Sequence, residues 1–162
     1  MYDDLIRQAV STHLPAEYDW RLFKAQLYQE SRFKPDAISP AGAVGIAQIM
    51  PKTWPKWSAK AGFKGYEMTD PEASIFTGAC YLAWLIDEWS WPRPAIDRYC
   101  LAMASYNAGL GNILKAQKQS GDKLLYRDIM PHLHKVTGAK NAAETIGYSK
   151  NILNFWTAYV RG

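Results

Sequence analysis
Apolar side chains recur at helical spacing along most of the chain, with one long interruption. Tyr2, Leu5, Ile6, Ala9, Val10, His13 and Leu14 form a first stripe, which Pro15 stops. Asp19 is placed to cap a second helix carrying Leu22, Phe23 and Leu27. From Lys34 to Tyr66 the period breaks, and prolines and glycines punctuate the stretch. That predicts a small irregular lobe with short β-like pieces at most. Helical spacing resumes at Asp70-Pro71-Glu72, which combines a cap, a proline at the first helical position and an early acid. Ile75, Ala79, Leu82, Ala83 and Ile86 give its buried face. Pro92 and Pro94 separate it from a helix that carries Ile96, Cys100 and Met103 and ends at Gly109. A shorter helix follows, with Leu110, Ile113 and Leu114 and a stop at Gly121. The last long helix is expected to begin at Asn141-Ala142-Ala143-Glu144, spaced as a capping box with Glu144 in the capping role. It continues through Ile152, Trp156, Tyr159 and Val160. The pattern predicts a mainly α protein, a helical bundle with one irregular lobe. No repeat, low-complexity segment or linker divides it, so a single domain over residues 1–162 is expected.

Composition narrows the class. Hydrophobic residues make up 48% of the 162 and aromatics 14%, which excludes a disordered chain. Seven Trp and ten Tyr either pack a core or offer flat faces to sugar rings. A net charge of +4 permits an anionic polymer as partner. The chain opens Met1-Tyr2-Asp3-Asp4, acidic where a secretory signal is basic. No apolar run approaches the roughly 20 residues that span a bilayer. Cys80 and Cys100 occupy apolar helical positions and are expected as buried free thiols, with a disulfide as the alternative. His132 and His134 lack neighbouring Cys or acidic residues, so no metal site and no cofactor is expected. Gly109-Leu110-Gly111 lacks a preceding strand and is no dinucleotide loop. Nothing reads as a nucleic-acid motif. Lys52, Lys56, Lys60 and Lys64 recur every four residues, a basic face if that stretch is helical. Such a face is either simply solvated or attracted to anionic wall polymers or lipid phosphates.

The chemistry centres on Glu30. It ends the second amphipathic run and precedes a loop without carboxylates: no Asp or Glu lies between Asp36 and Glu67. A lone acid beside such a loop suggests a proton donor whose usual partner is missing. Glycoside cleavage needs a proton at the leaving oxygen, and a Glu supplies it best when an apolar site raises its pKa. Phe33, Ile46 and Ile49 are near in sequence, so Glu30 is expected to be buried with a raised pKa. Retaining glycosidases place two carboxyls about 5 Å apart and inverting ones about 6.5–9.5 Å apart. The stretch that would hold the second carboxyl offers Gly42, Gly45 and Gln48 instead. Glycines in Gly42-Ala43-Val44-Gly45 let backbone approach a ligand closely, or simply make a turn. Asn107 reads as a helix C-terminal residue with Gly109 as the stop. Tyr148 reads as an ordinary core side chain, and Glu144 as a cap.

Four segments carry a resemblance: Glu30-Ser31-Arg32-Phe33 with Ala37-Ile38-Ser39, Gly42-Ala43-Val44-Gly45-Ile46-Ala47-Gln48-Ile49-Met50-Pro51, Ser105-Tyr106-Asn107-Ala108-Gly109, and Glu144-Thr145-Ile146-Gly147-Tyr148. Together they resemble the soluble-type lytic transglycosylases, whose catalytic domain is lysozyme-like, from about residue 20 to 155. The resemblance implies a substrate cleft beside the small lobe, with Glu30 as sole acid/base. It makes Ser31 a residue that helps orient the sugar's acetamido group and Gln48 a sugar hydrogen-bonder. It makes Asn107 a substrate-binding amide, sets Tyr106 beneath the site, and brings the Tyr148 hydroxyl to the catalytic carboxyl. Two positions depart from the family: Ala47 stands where Met is usual, and Ser74 where Asn is common in the segment from Asp70-Pro71 to Tyr81, which reads as scaffold.

The implied reaction cuts the N-acetylmuramic acid to N-acetylglucosamine β-1,4 bond of peptidoglycan without water. The acetamido oxygen supports C1, the C6 hydroxyl attacks, and a 1,6-anhydromuramoyl end forms. A monomer is expected. Two rivals stay open: a goose-type muramidase that uses water, with Asp36 or Asp97 as base, and a catalytically idle wall-binding or virion structural protein. Joint presence of Glu30, Gln48, Asn107 and Tyr148 argues against the second. With no visible signal, the expected routes from cytoplasm to the periplasmic wall are a phage endolysin released through a membrane lesion, a virion-carried lysin, or a mature form whose signal has been removed.

Overall fold
The structure, a computed structural model, describes residues 1–90 and 92–162. Helices dominate, as the pattern predicts: α1 (Asp3–His13), α2 (Trp20–Ser31), α3 (Trp54–Lys60), α4 (Pro71–Glu88), α5 (Ala95–Ala108), α6 (Leu110–Gln119), α7 (Tyr126–Ile129), α8 (His134–Thr137) and α9 (Ala139–Arg161). A 3₁₀ turn, Met130–His132, joins α7 to α8. Among the described residues β structure is limited to two antiparallel bridges, Ile38 with Val44 and Val44 with Ile49. The chain divides into two compact units, Met1–Ala83 with Ile152–Gly162, and Trp84–Asn151.

In the first unit α1 packs on α2. Ile6 and Ala9 on α1, and Phe23, Ala25 and Leu27 on α2, are fully excluded from solvent. Asp19 starts α2 as expected. Its carboxylate accepts the Arg21 backbone N–H at 3.0 Å and the Arg21 side chain at 2.9 Å. It also accepts the Trp156 indole N–H at 3.1 Å, which ties the last turns of α9 to the start of α2. Cations cover the neighbouring rings: Arg7 lies 4.2 Å from the Trp20 ring centre and Lys24 4.8 Å from that of Tyr159. Lys24 also reaches Asp3 at 2.8 Å. Asp70 caps α4 as expected, its Oδ1 accepting the Ala73 N–H at 2.8 Å.

The stretch from Lys34 to Tyr66 is not wholly irregular, because it contains α3. Pro55 lies in the first turn of that helix, where the missing N–H costs nothing. Only Lys56 and Lys60 of the lysine row are therefore helical; Lys52 and Lys64 flank α3. Lys56 and Lys60 lie 5.1 and 4.7 Å from the Trp57 ring centre, so the buried indole gathers two ammonium groups.

In the second unit α5 packs on α6, and α6 meets α7, the 3₁₀ turn and α8. Trp89, Tyr99, Leu101 and Leu133 fill the core. The Trp89 indole N–H donates to Ser105 at 2.9 Å, and Ser105 donates to the Leu101 carbonyl at 2.7 Å, so these buried polar groups are paired. Ile96 and Leu114 face solvent rather than the core. Ile96 sits in the open first turn of α5, and Leu114 follows the buried Ile113. Cys100 is buried and Cys80 half-buried, both as free thiols. Burial, then the nearby Asp97 carboxylate, pushes the Cys100 thiol up to about 12.

The last helix begins before the expected box. Gly138, at φ +84°, makes the turn, and α9 starts at Ala139. Asn141 lies inside the helix and donates back to the Thr137 carbonyl at 3.1 Å. Glu144 is exposed within α9 and is not its cap.

Asp19 couples stability to pH. Burial alone raises its pKa, but hydrogen bonds from Arg21 and Trp156, with the Arg21 charge, hold it below the ordinary 3.8. The folded carboxyl thus titrates below the unfolded one. Its contribution is complete above pH 3.8 and is lost as pH falls through that value and below. Asp19→Ala should cost about 1–3 kcal/mol, from the lost cap and an orphaned indole N–H, in a denaturant titration at neutral pH. Asp19→Asn should flatten the acid limb of a melting-temperature profile; an unchanged limb contradicts the assignment.

Candidate active site
The six candidate residues divide between the two units. Glu30, Ser31 and Gln48 belong to the first; Tyr106, Asn107 and Tyr148 belong to the second.

In the first unit α2 ends abruptly. Arg32 and Phe33, at φ +54° and +61°, are consecutive non-glycine residues in the left-handed region. Such backbone is costly and persists only where surroundings hold it. Here the Arg32 guanidinium lies 4.2 Å from the Tyr28 ring centre, and the Phe33 ring 5.5 Å from it. Tyr28 in turn meets Phe155 edge-on at 4.9 Å. This aromatic stack fixes the turn immediately after Glu30 and Ser31. Glu30 itself is half-buried at the last turn of α2, less enclosed than the sequence led us to expect.

Ser31 is buried, and its hydroxyl donates to the Ile46 carbonyl at 2.8 Å. The bond ties the helix end that bears Glu30 to the loop of the second motif. That loop is held from the other side by Ser74, whose Oγ accepts the Ala47 N–H at 3.1 Å. Reading the Asp70 to Tyr81 segment as scaffold fits this contact. Ala47 is fully buried, so the side chain at this departure from the family pattern packs inward.

Gln48 also holds the loop. Its backbone is left-handed, at φ +50°, and its Nε2 donates to the Ala37 carbonyl at 3.1 Å and the Gly45 carbonyl at 2.8 Å. Both amide protons are spent, so the chemistry left for a ligand is the acceptor Oε1. The two glycines differ. Gly45, at φ +82°, packs so tightly that a Cβ would fall on the Met68 carbonyl oxygen. Gly42, at φ +92°, faces open space. The close approach expected of this motif is therefore made, at Gly45, to the chain's own backbone.

In the second unit α5 ends at Ala108, and the Gly109 N–H closes the helix onto the Ser105 carbonyl at 2.9 Å. Asn107 is exposed at this end, as its sequence position suggests. Its Oδ1 accepts the Thr145 hydroxyl at 2.8 Å. This joins the third motif to the fourth across 38 residues of sequence. Thr145 carried no signal of its own on reading the chain, since a hydroxyl in a helix is ordinarily paired to its own backbone. Tyr148 is buried and Tyr106 half-buried. Asp97, a rival water-activating base, is committed elsewhere: its Oδ1 accepts the Tyr126 N–H at 2.9 Å and so caps α7. Asp36 is exposed just beyond α2. Among the described residues no group of three or more His, Cys, Asp or Glu could hold a metal ion.

The family is shown by comparison. The sequence pattern of the transglycosylase SLT domain matches residues 11–129, and the chain belongs to that family. It is 32% identical to the membrane-bound lytic murein transglycosylase F of Alteromonas mediterranea, over 89% of this chain and 33% of that protein. Among solved structures it is similar to the 70 kDa soluble lytic transglycosylase of Escherichia coli, at 28% identity and a TM-score of 0.76, over 99% of this chain and 24% of that one. It is also similar to lytic transglycosylase Slt of Pseudomonas aeruginosa, solved as an inactive glutamate-to-glutamine variant, at 25% identity and a TM-score of 0.76, over 98% of this chain and 24% of that one. The chain thus spans a quarter to a third of the length of these relatives.

The loop geometry yields a contrast. Gly45→Ala should destabilise by more than about 2 kcal/mol, from left-handed strain plus a backbone clash. Gly42→Ala should cost about 1 kcal/mol, from the strain alone. Denaturant titrations of the pair check this; equal losses would contradict the packing.

Proposed function
We propose that this chain is a peptidoglycan lytic transglycosylase domain in which Glu30 is the single acid/base. Membership of the family supports the reaction class. The observation that carries the single-carboxyl reading is the tie of Ser31 to Ile46, which secures the Glu30 helix end to a loop without any Asp or Glu. A second carboxyl at the spacing of a two-acid glycosidase has no source in that loop. The capping duty of Asp97 further disfavours the muramidase reading.

In the proposed cycle the Glu30 carboxylic acid gives its proton to the glycosidic oxygen as the bond to C1 breaks. The acetamido oxygen of the muramic acid residue supports C1 in place of an enzyme carboxylate. Glu30, now a carboxylate, takes the proton of the C6 hydroxyl, whose oxygen bonds to C1. The products are a 1,6-anhydromuramoyl end and a free 4-hydroxyl, with the enzyme proton restored and no water consumed. The P. aeruginosa relative is inactive as a glutamate-to-glutamine variant, which fits an essential glutamate. We further propose Ser31, Gln48, Tyr106, Asn107 and Tyr148 as residues that orient or contact the glycan, and the bacterial wall as the place of action. No described helix is long and apolar enough to cross a membrane.

Surface charge favours such a partner. Residues 37–66 hold four lysines and no acid, and the basic and acidic side chains of the rest of the chain cancel. The whole net charge of +4 therefore sits in this lobe, and all four lysines are exposed.

Glu30→Gln should abolish nearly all release of wall fragments while the melting temperature stays within about 2 °C, since a half-buried amide replaces a carboxyl of nearly equal shape. Wild-type release by that variant would refute the role. Replacing Lys52, Lys56, Lys60 and Lys64 by Gln should weaken sedimentation with purified wall. It should also flatten the loss of binding as salt rises past about 0.15 M, where the Debye length is about 8 Å. An unchanged salt curve would make these lysines a solvated surface only.

A further inference from the structure
Thr145 is nearly fully buried on α9, yet its hydroxyl is directed away from its own helix as well as toward it. Oγ lies 2.8 Å from Asn107 Oδ1 and 3.1 Å from the Asn141 carbonyl. A hydroxyl carries one proton, so these acceptors compete for it. The shorter distance gives it to Asn107. The consequence falls on the Asn107 amide. With Oδ1 turned to Thr145, its Nδ2 has no hydrogen-bond partner among the described residues, although the residue is exposed. Both Nδ2 protons are left for a ligand.

We propose that Thr145 is a positioning residue that fixes Asn107 with its carbonyl inward and its amino group outward, so that this position acts only as a hydrogen-bond donor. The ligand group it meets must then present an acceptor oxygen, such as an acetamido carbonyl or a sugar hydroxyl or ring oxygen. Without the Thr145 proton the amide turns freely, and half of its orientations set an acceptor against an acceptor. The proposal rests on the assignment of Asn107 as a substrate-contacting residue, but the orientation itself does not.

The orientation is read first, without activity. In a ¹⁵N-labelled sample the Asn107 side-chain resonance is assigned by its disappearance in Asn107→Ser. In the wild type both Nδ2 protons should exchange rapidly with water. One protected proton, shifted downfield, would mean that Nδ2 donates to Thr145 with Oδ1 outward, and would overturn the proposal. Function is read second, on defined peptidoglycan oligosaccharides. Thr145→Val should raise KM about twofold with kcat changed less, because only half of the amide's orientations then present a donor, and Thr145→Ser should restore the wild-type value, because the serine keeps the proton at nearly the same place. In an Asn107→Ala background Thr145→Val should have no further effect on KM; additive losses would mean that Thr145 merely supports the helix and would overturn the positioning role. If the wild type cleaves no glycan at all, the proposed function fails, while the exchange measurement still decides how Asn107 is held.

Discussion
The hydroxyl of Ser31 on the Ile46 carbonyl, at 2.8 Å, is the interaction on which the catalytic reading depends. It fixes the last turn of α2 against a loop that has no β-ladder of its own beyond two isolated bridges. Around it the same solution recurs: buried or half-buried polar side chains satisfy loop backbone. Ser74 accepts the Ala47 N–H, and Gln48 donates to Ala37 and Gly45. A loop that lacks sheet pairing must place its backbone polar groups somewhere, and here side chains of neighbouring motifs take them. The motif residues are thus as much a framework for Glu30 as candidates for touching sugar.

This changes how the sequence motifs are understood. Gln48 was expected as a sugar hydrogen-bonder; its donors are already engaged, which leaves Oε1 for that part. Ser31 was expected to help orient the acetamido group, but its hydroxyl donates to the Ile46 carbonyl, so what it positions here is the helix end that bears Glu30. On the second unit the reverse holds. Asn107 is exposed and keeps its donors free because a buried threonine takes the carbonyl end. Gln48 is left with an uncommitted acceptor and Asn107 with uncommitted donors, each set by partners that no local pattern announces.

Much of the architecture was legible because helix boundaries are written in local chemistry. Asp19, Asp70-Pro71 and Gly109 each begin or end a helix for reasons that act within one turn. The misreadings have equally local causes. The stretch from Lys34 to Tyr66 was read as irregular because prolines and glycines punctuate it, yet Pro55 lies in a first turn, where a proline starts a helix, and so α3 was missed. Asn141 to Glu144 has the spacing of a capping box, yet Gly138 already makes the turn and Asn141 bonds back inside α9. The candidate site was legible as residue types within motifs. Its hydrogen bonds were not, since Ser31 to Ile46, Ala47 to Ser74 and Asn107 to Thr145 span 15, 27 and 38 residues.

The central claim is that one carboxyl breaks the glycosidic bond with no water. Digestion of purified peptidoglycan in ¹⁸O-enriched water tests it most directly. The account requires muramoyl ends that lack a reducing group and carry no ¹⁸O at C1, because the closing oxygen comes from the sugar's own C6 hydroxyl. Reducing muramic acid ends labelled at C1 would show that water attacks, and would contradict the single-carboxyl mechanism.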